Sequence, residues 1–203
     1  MSDEPKILIG SPVGKDCLTD LRFGLFCGRM AGLGTADFIS KNSSETEHGR
    51  NLVVQHFLEK KQYEYLFFLD CDEWPKSFDI LDELVGLDKD VVAGVAKMIL
   101  DGRRYWSAAR FVNEEGLVHW CGVREMPKMP FKAVAVGGGS MLIKRRVLEA
   151  LKWPWFETIF KEDGTRIGED IYFSNKVIEA GFEIWVDPSQ QYGHSQRRDI
   201  SEL

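Results

Sequence analysis

The sequence contains no long run of apolar residues. Its longest apolar stretch, Tyr65-Leu66-Phe67-Phe68-Leu69, has the length of a strand, whereas a membrane-spanning helix needs about 18 or more such residues in succession. The acidic segment Met1-Ser2-Asp3-Glu4-Pro5 also lacks the apolar core of a secretory signal. We therefore expect neither a membrane span nor a secretory signal.

Cysteine is scarce and forms no Cys-x-x-Cys pair. Cys17, Cys27, Cys71 and Cys121 are scattered along 203 residues, whereas disulfide frameworks are typical of shorter chains with denser cysteines. We therefore expect reduced thiols and a cytoplasmic location.

Positive charge is also in deficit. With 26 Lys and Arg against 32 Asp and Glu, the formal net charge is −6, so we expect no broad electrostatic contact with nucleic acid. Two basic segments, Lys144-Arg145-Arg146 and Arg197-Arg198, are either local patches or ordinary solvated surface. The glycines match neither a dinucleotide-binding nor a Walker loop.

Apolar residues are abundant, at 44% of the chain, which excludes bulk disorder, and the length predicts one domain. Strand-like runs such as Tyr65–Leu69 and Asp90–Ala96 alternate with helical periodicity over 45–61 and Asp170–Ala180. This alternation predicts an α/β fold with a mostly parallel central sheet flanked by helices.

Two further segments complete the predicted fold. Residues 104–111 and 117–122 flank a polar turn and predict a small β-hairpin, whose Trp106 and Trp120 either stack on a sugar or belong to the core. The last predicted strand is Phe182–Val186, and we expect an irregular tail after Pro188.

Two aspartates follow the most apolar strand. Asp70 and Asp72 are two residues apart, so their side chains leave the strand on the same side. Their mutual repulsion would be relieved by a divalent cation such as Mg²⁺ or Mn²⁺. Alternatively, Asp70 caps the next helix and Asp72 is a turn residue, and spacing alone leaves both interpretations open.

Three other elements bear polar groups suited to chemistry. Glu169 and Asp170 open a predicted helix, either as helix-start carboxylates or as a general base. His194 is either a surface residue or a metal ligand, and an imidazole beside carboxylates favours Mn²⁺. Arg50 is either an exposed helix residue or a clamp for phosphate or carboxylate, and the bend Gly137-Gly138-Gly139 allows close backbone approach to a ligand.

In chain order, these elements resemble nucleotide-sugar-dependent glycosyltransferases with the A-type fold, in particular small family-2-like members of bacterial, phage or viral type. The matching segments are Ile7–Pro12, Gly49–Asn51, Leu66–Asp72, Val91–Gly94, Gly138–Ile143, Gly168–Asp170 and Gly193–His194. The resemblance covers most of the chain. It implies one A-type domain over residues 1–203, with a nucleotide-sugar-binding half at 1–100 and an acceptor and catalytic half at 101–203.

The resemblance also implies a role for each candidate residue. Asp72 and His194 would bind Mn²⁺ or Mg²⁺, with Asp70 completing the metal set nearer the nucleotide. Asp170 would be the catalytic base, with Glu169 as its catalytic neighbour. The donor would be bound by Ser11, Pro12, Arg50, Asp70, Cys71 and Asp72.

The implied activity is metal-dependent transfer of a hexosyl or related sugar from a nucleoside-diphosphate sugar to an acceptor hydroxyl, on a glycan or another hydroxyl compound. Two alternatives stay open. A metal-dependent nucleotidyltransferase uses similar paired carboxylates, and a sugar-nucleotide-binding module would keep the fold without catalysis.

Overall fold

The computed structural model describes residues 7–14, 19–100, 102–113 and 117–195. Its helices are α1 (Leu21–Leu33), α2 (Thr46–Glu59), α3 (Ile80–Gly86), α4 (Arg145–Ala150) and α5 (Glu169–Glu179). Its strands are β1 (Ile7–Val13), β2 (Ala36–Asn42), β3 (Tyr65–Leu69), β4 (Glu73–Pro75), β5 (Val91–Leu100), β6 (Arg103–Val112), β7 (Val118–Gly122), β8 (Phe131–Ala133), β9 (Ala135–Val136), β10 (Ser140–Lys144), β11 (Ile159–Phe160), β12 (Arg166–Ile167) and β13 (Ile184–His194).

One mixed sheet of eleven strands organises the fold, with the order β2-β1-β3-β10-β5-β13-β4 along its main path. β1 is parallel to β2 and β3, and β5 is parallel to β13. The pairs that β10 makes with β3 and β5, and those that β13 makes with β4 and β8, are antiparallel. The prediction of a mostly parallel sheet is therefore wrong. The described chain between α3 and α4 forms six strands without a helix, and parallel neighbours need a crossover that is usually helical.

Helices cover both faces of this sheet, as the sequence predicted. On one face α2, α4 and α5 pack in a core cluster that includes Phe57 and Phe173, and on the other α1 and α3 pack around Phe26. Phe68 and Phe67 of β3 belong to these two opposite clusters. The continuous apolar run of β3 is explained by this burial on both faces.

Two predictions about the second half have different outcomes. The hairpin is confirmed, because β6 and β7 pair antiparallel, and Trp106 is only 7% exposed within the core. The prediction of an irregular tail after Pro188 is wrong as far as His194, where β13 ends; residues 196–203 lie outside the described residues. A shift in register between Val186 and Gln191 interrupts the ladder, but β13 continues to His194 and pairs there with β4.

The basic segment Lys144-Arg145-Arg146, at the start of α4, makes contacts within the protein. Lys144 and Arg146 form ion pairs with Asp88 and Asp90, and the guanidinium of Arg145 donates to the carbonyl oxygens of Phe57, Lys60 and Tyr63. Arg197 and Arg198 lie outside the described residues. No helix in the described ranges is long and apolar enough to cross a membrane.

Asn51 of α2 fixes the buried segment that follows α4. Its side-chain nitrogen donates to the carbonyl oxygen of Phe156 at 2.7 Å. Its Oδ1 accepts from the backbone nitrogens of Trp155 at 3.0 Å and Phe156 at 3.1 Å. One amide thus satisfies three backbone groups that the core shields from water.

We predict that Asn51→Ala lowers the free energy of unfolding by about 2 to 4 kcal/mol, because the unpaired backbone groups stay buried. Urea denaturation measures the change. Asn42→Ala, at the exposed end of β2, is the matched control and should change stability by less than about 0.5 kcal/mol. Equal stability of the two variants would contradict the prediction.

Candidate active site

The candidate site lies at the sheet edge where β1 and β3 end. Asp70 follows β3 directly, and Glu73 begins β4 two residues after Cys71. Since β1 and β3 are parallel and Gly10 pairs with Phe68, Ser11 and Pro12 lie at the same edge of the sheet. Ligands of α/β sheets usually bind beyond this end of the strands.

A buried arginine lies at the centre of the site. The side chain of Arg50 is 2% exposed, and its Nη2 donates to the two carboxylate oxygens of Asp70 at 3.0 and 2.9 Å. Its Nη1 donates to the carbonyl oxygen of Gly138 at 2.9 Å. Its Nε lies 3.5 Å from Oε1 of Glu169 and has no hydrogen-bond partner among the described residues. Arg50 thereby connects the end of β3 with the start of α5.

The glycine bend before β10 makes room for this arginine. A Cβ atom on Gly138 would lie 2.6 Å from Nη2 of Arg50, and one on Gly139 would lie 2.8 Å from Cδ of Glu73. The close backbone approach that the sequence indicated is therefore to the protein's own charged side chains. The guanidinium also faces the rings of Phe68 and Phe156, with Cζ 5.2 and 5.8 Å from their centroids.

Asp72 and His194, which are distant in sequence, lie together. Oδ2 of Asp72 is 3.5 Å from Nε2 of His194, and the two side chains are 42% and 22% exposed. The pairing of β13 with β4 sets His194 opposite Glu73, and the backbone nitrogen of Ser195 donates to the carbonyl oxygen of Asp72 at 2.9 Å. The neighbouring Asp72 carboxylate raises the pKa of the His194 imidazole.

Glu73 is the site residue that the sequence analysis missed. It is 7% exposed, and its Oε2 has no hydrogen-bond partner within the described ranges. Burial, reinforced by the charge of Asp70, raises the pKa of Glu73. Alternation along a strand would have placed its side chain opposite to those of Asp70 and Asp72, but a turn at residues 71 and 72 interrupts the strand. The signal in the sequence that could have revealed Glu73 was an acid directly after the Asp-x-Asp pair.

The two acids that open α5 lie in different surroundings. Glu169 approaches Arg50, as described above, whereas Oδ1 of Asp170 accepts from the backbone nitrogen of Ile171 at 2.8 Å. Burial and the charge of Glu169 raise the pKa of Asp170 to about 6, although Arg50 acts in the opposite direction. A carboxyl group with a pKa near neutrality suits a general base.

The remaining predicted donor residues are largely enclosed. Ser11 is fully buried, and its Oγ has no hydrogen-bond partner in the part of the chain described. Pro12 lines a cavity of about 40 Å³ beside the start of α2. Cys71 is 5% exposed, and its carbonyl oxygen accepts from the backbone nitrogen of Asp20 at 3.0 Å.

The expectation of reduced thiols is wrong at Cys71, which is disulfide-bonded. Cys27 and Cys121 are free, and Cys17 lies outside the described residues. The density of cysteines along a sequence does not show which thiols the fold brings together.

Carboxylate and imidazole groups of the kinds that bind divalent cations lie together at this edge of the sheet. Carboxylate oxygens and an imidazole nitrogen are ligands of Mn²⁺. Among the described residues no group of three or more His, Cys, Asp and Glu is arranged to hold a metal ion. Asp72 and His194 therefore offer two ligands, since Asp70 is engaged by Arg50. Cations that bind with substrate phosphates often take only one or two carboxylates, and the unpaired Glu73 carboxyl adds to the acidic surroundings.

Solved structures with a similar fold include A197 from STIV, which is 22% identical with a TM-score of 0.61 over 95% of this chain and 86% of that one. GalNAc-T7, solved with UDP, GalNAc and Mn²⁺, is 14% identical with a TM-score of 0.56 over 96% of this chain. The match covers 44% of the GalNAc-T7 chain. Neither a family model nor a curated protein sequence matches. The protein thus has a glycosyltransferase-like α/β fold.

The raised pKa of Asp170 predicts a pH-dependent cost in stability. Its folded pKa of about 6 exceeds the ordinary value of 3.8, so the folded state binds the proton more tightly than the unfolded state. The contribution of Asp170 to the free energy of unfolding is therefore favourable below about pH 4, and it is lost as the pH rises through about 6.

We predict that Asp170→Asn, which keeps the Oδ1 acceptor, is more stable than the original protein at pH 8, by about 1 to 2 kcal/mol. The difference should vanish near pH 4 in denaturant titrations at both pH values. Asp82→Asn, on the exposed face of α3, controls for the general loss of a carboxylate. A stability difference for Asp170→Asn that does not depend on pH would contradict the assignment.

Proposed function

We propose that the protein is a metal-dependent glycosyltransferase that moves a sugar from a nucleoside-diphosphate sugar to an acceptor hydroxyl, with a glycan as the acceptor class. The observation that supports this most is the contact between Asp72 and His194 beside the cluster of Arg50, Asp70 and Glu169. A cation site and a candidate base are thereby parts of one set of interacting charges. The similarity in fold to GalNAc-T7 supports the donor class.

In this proposal, residues 1–100 supply the donor side of the site and residues 101–203 supply the acceptor and catalytic side. Asp72 and His194 would hold Mn²⁺ or Mg²⁺, and Asp70 would be nearer the nucleotide. When bound, the cation neutralises the negative charge that develops on the leaving diphosphate.

The protein's own residues handle the proton. Asp170 accepts the proton of the acceptor hydroxyl through Oδ2, because its Oδ1 is engaged by the backbone nitrogen of Ile171. The acceptor oxygen then bonds to the anomeric carbon while the bond from that carbon to the diphosphate breaks, and its electron pair leaves with the diphosphate. A single displacement of this kind inverts the anomeric configuration. Glu169 stays beside Arg50, whose Nε lies 3.5 Å from its Oε1.

Asp72→Ala is predicted to abolish metal-dependent transfer while the fold survives, because the Asp72 side chain is 42% exposed. Melting temperatures with a panel of nucleoside-diphosphate sugars, with and without Mn²⁺, should rise for the original protein and not for the variant. Asp82→Ala, on the exposed face of α3, is the matched control.

The products decide between this function and its alternatives. Release of a nucleoside diphosphate from the donor supports glycosyl transfer, whereas release of pyrophosphate supports a nucleotidyltransferase. Donor binding with neither transfer nor donor hydrolysis supports a binding module. Normal turnover by Asp72→Ala without added metal would contradict the role of the cation.

Asp170→Asn should lower kcat by about 100-fold or more, with donor affinity changed by less than about threefold, because the amide keeps the shape but cannot take the proton. The kcat/KM of the original protein should rise with pH through about 6. Loss of donor affinity in place of turnover would make Asp170 a binding residue.

A further inference from the structure

The guanidinium of Arg50 is surrounded by protein groups. It donates to Asp70 and to the carbonyl of Gly138, and it lies beside Glu169. With a side chain that is 2% exposed, it offers no free edge to a substrate. The resemblance implied that Arg50 binds the donor, but the contacts in this structure are with the site's own acids.

Stability alone does not account for this arrangement. A buried ion pair contributes little net stability, because the desolvation of both charges offsets their attraction, and a well-packed apolar replacement is often equally stable. The neighbourhood already offers apolar partners in Phe68 and Phe156. The charge of Arg50 therefore has a role other than stabilising the fold through packing.

The surroundings also restrict where the guanidinium can lie. The two rings face it, and Gly138 leaves only enough space for it, since a Cβ there would be 2.6 Å from Nη2. Asp70 follows β3, and Glu169 begins α5. These two elements belong to different halves of the chain, and Arg50 contacts an acid from each of them.

We propose that Arg50 is a positioning residue, which sets the spacing between Asp70 on the donor side and the acid pair Glu169 and Asp170 on the acceptor side. This inference rests on the proposed glycosyltransferase function for its kinetic consequence. Its structural part, that Arg50 acts on the acid pair of α5, can be tested without turnover.

The test compares Arg50→Lys and Arg50→Met with Arg145→Met. Arg145 is the matched control, because its guanidinium donates to the carbonyl oxygens of Phe57, Lys60 and Tyr63 and not to site residues. We expect Arg50→Lys to lower kcat by about 10- to 100-fold, with a smaller effect on donor affinity, since an ammonium lacks the planar fork of the guanidinium. Arg145→Met should lower stability and leave kcat of the folded fraction unchanged.

Coupling to Asp170 distinguishes positioning from a general structural role. If Arg50 acts through Asp170, the double variant Arg50→Lys with Asp170→Asn loses no more kcat than Asp170→Asn alone. If the loss of kcat in the double variant equals the product of the losses in the two single variants, the proposal is overturned.

A readout without turnover is the titration of the Asp170 carboxyl, followed by NMR. Its charged neighbours are Glu169 on α5 and Arg50 on α2. In Arg50→Met its pKa should rise above that of the original protein, because the favourable charge is gone, and in Arg145→Met it should not move. An unchanged Asp170 titration in Arg50→Met would overturn the proposal.

If the original protein shows no transfer while the titration shifts as expected, the proposed function fails and the structural role of Arg50 stands.

Should Arg50→Met not fold, Gly138→Ala provides the second variant, because its Cβ displaces the guanidinium. Gly86→Ala, where a Cβ meets no atom within 4 Å, is its control. An Asp170 titration that Gly138→Ala leaves unchanged would also overturn the proposal.

Discussion

The ion pair between Nη2 of Arg50 and the carboxylate of Asp70 is the interaction on which the site depends. Asp70, Asp72, Glu73, Glu169 and Asp170 gather at one edge of the sheet, and Arg50 is the buried cation that offsets them. Removing one partner of such a pair would leave an uncompensated buried charge, which is far more costly than the pair is favourable. The bend at Gly138, the neighbouring rings of Phe68 and Phe156 and the start of α5 all lie around this guanidinium.

The mixed sheet explains how distant residues meet. β10 lies antiparallel between β3 and β5, so the bend that precedes it arrives at the same edge at which β3 ends. β13 lies between β5 and β4 and brings His194 beside Asp72. A mostly parallel sheet, as first expected, would bring helix connections to this edge in place of the tight glycine bend that receives Arg50.

Periodicity in the sequence was enough to predict most elements, and Tyr65–Leu69 has the predicted bounds as β3. Strand direction was not predictable, because burial on both faces gives the same apolar run in parallel and antiparallel strands. The acids of the site were visible as Asp70, Asp72 and Asp170, but the partner of Arg50 was not, since an ion pair between residues 20 positions apart leaves no local pattern. Glu73 was hidden for a related reason, because a turn changes the side to which a residue points.

The position of β13 has a consequence for how the molecule forms. It follows every other described strand in the chain, yet it lies inside the sheet, where it pairs with β4, β5 and β8. During synthesis these three strands exist before their shared neighbour does, and unpaired strand edges invite association with other chains. Completion of this part of the sheet and arrival of His194 beside Asp72 are therefore one event, which also removes the exposed edges of β4, β5 and β8.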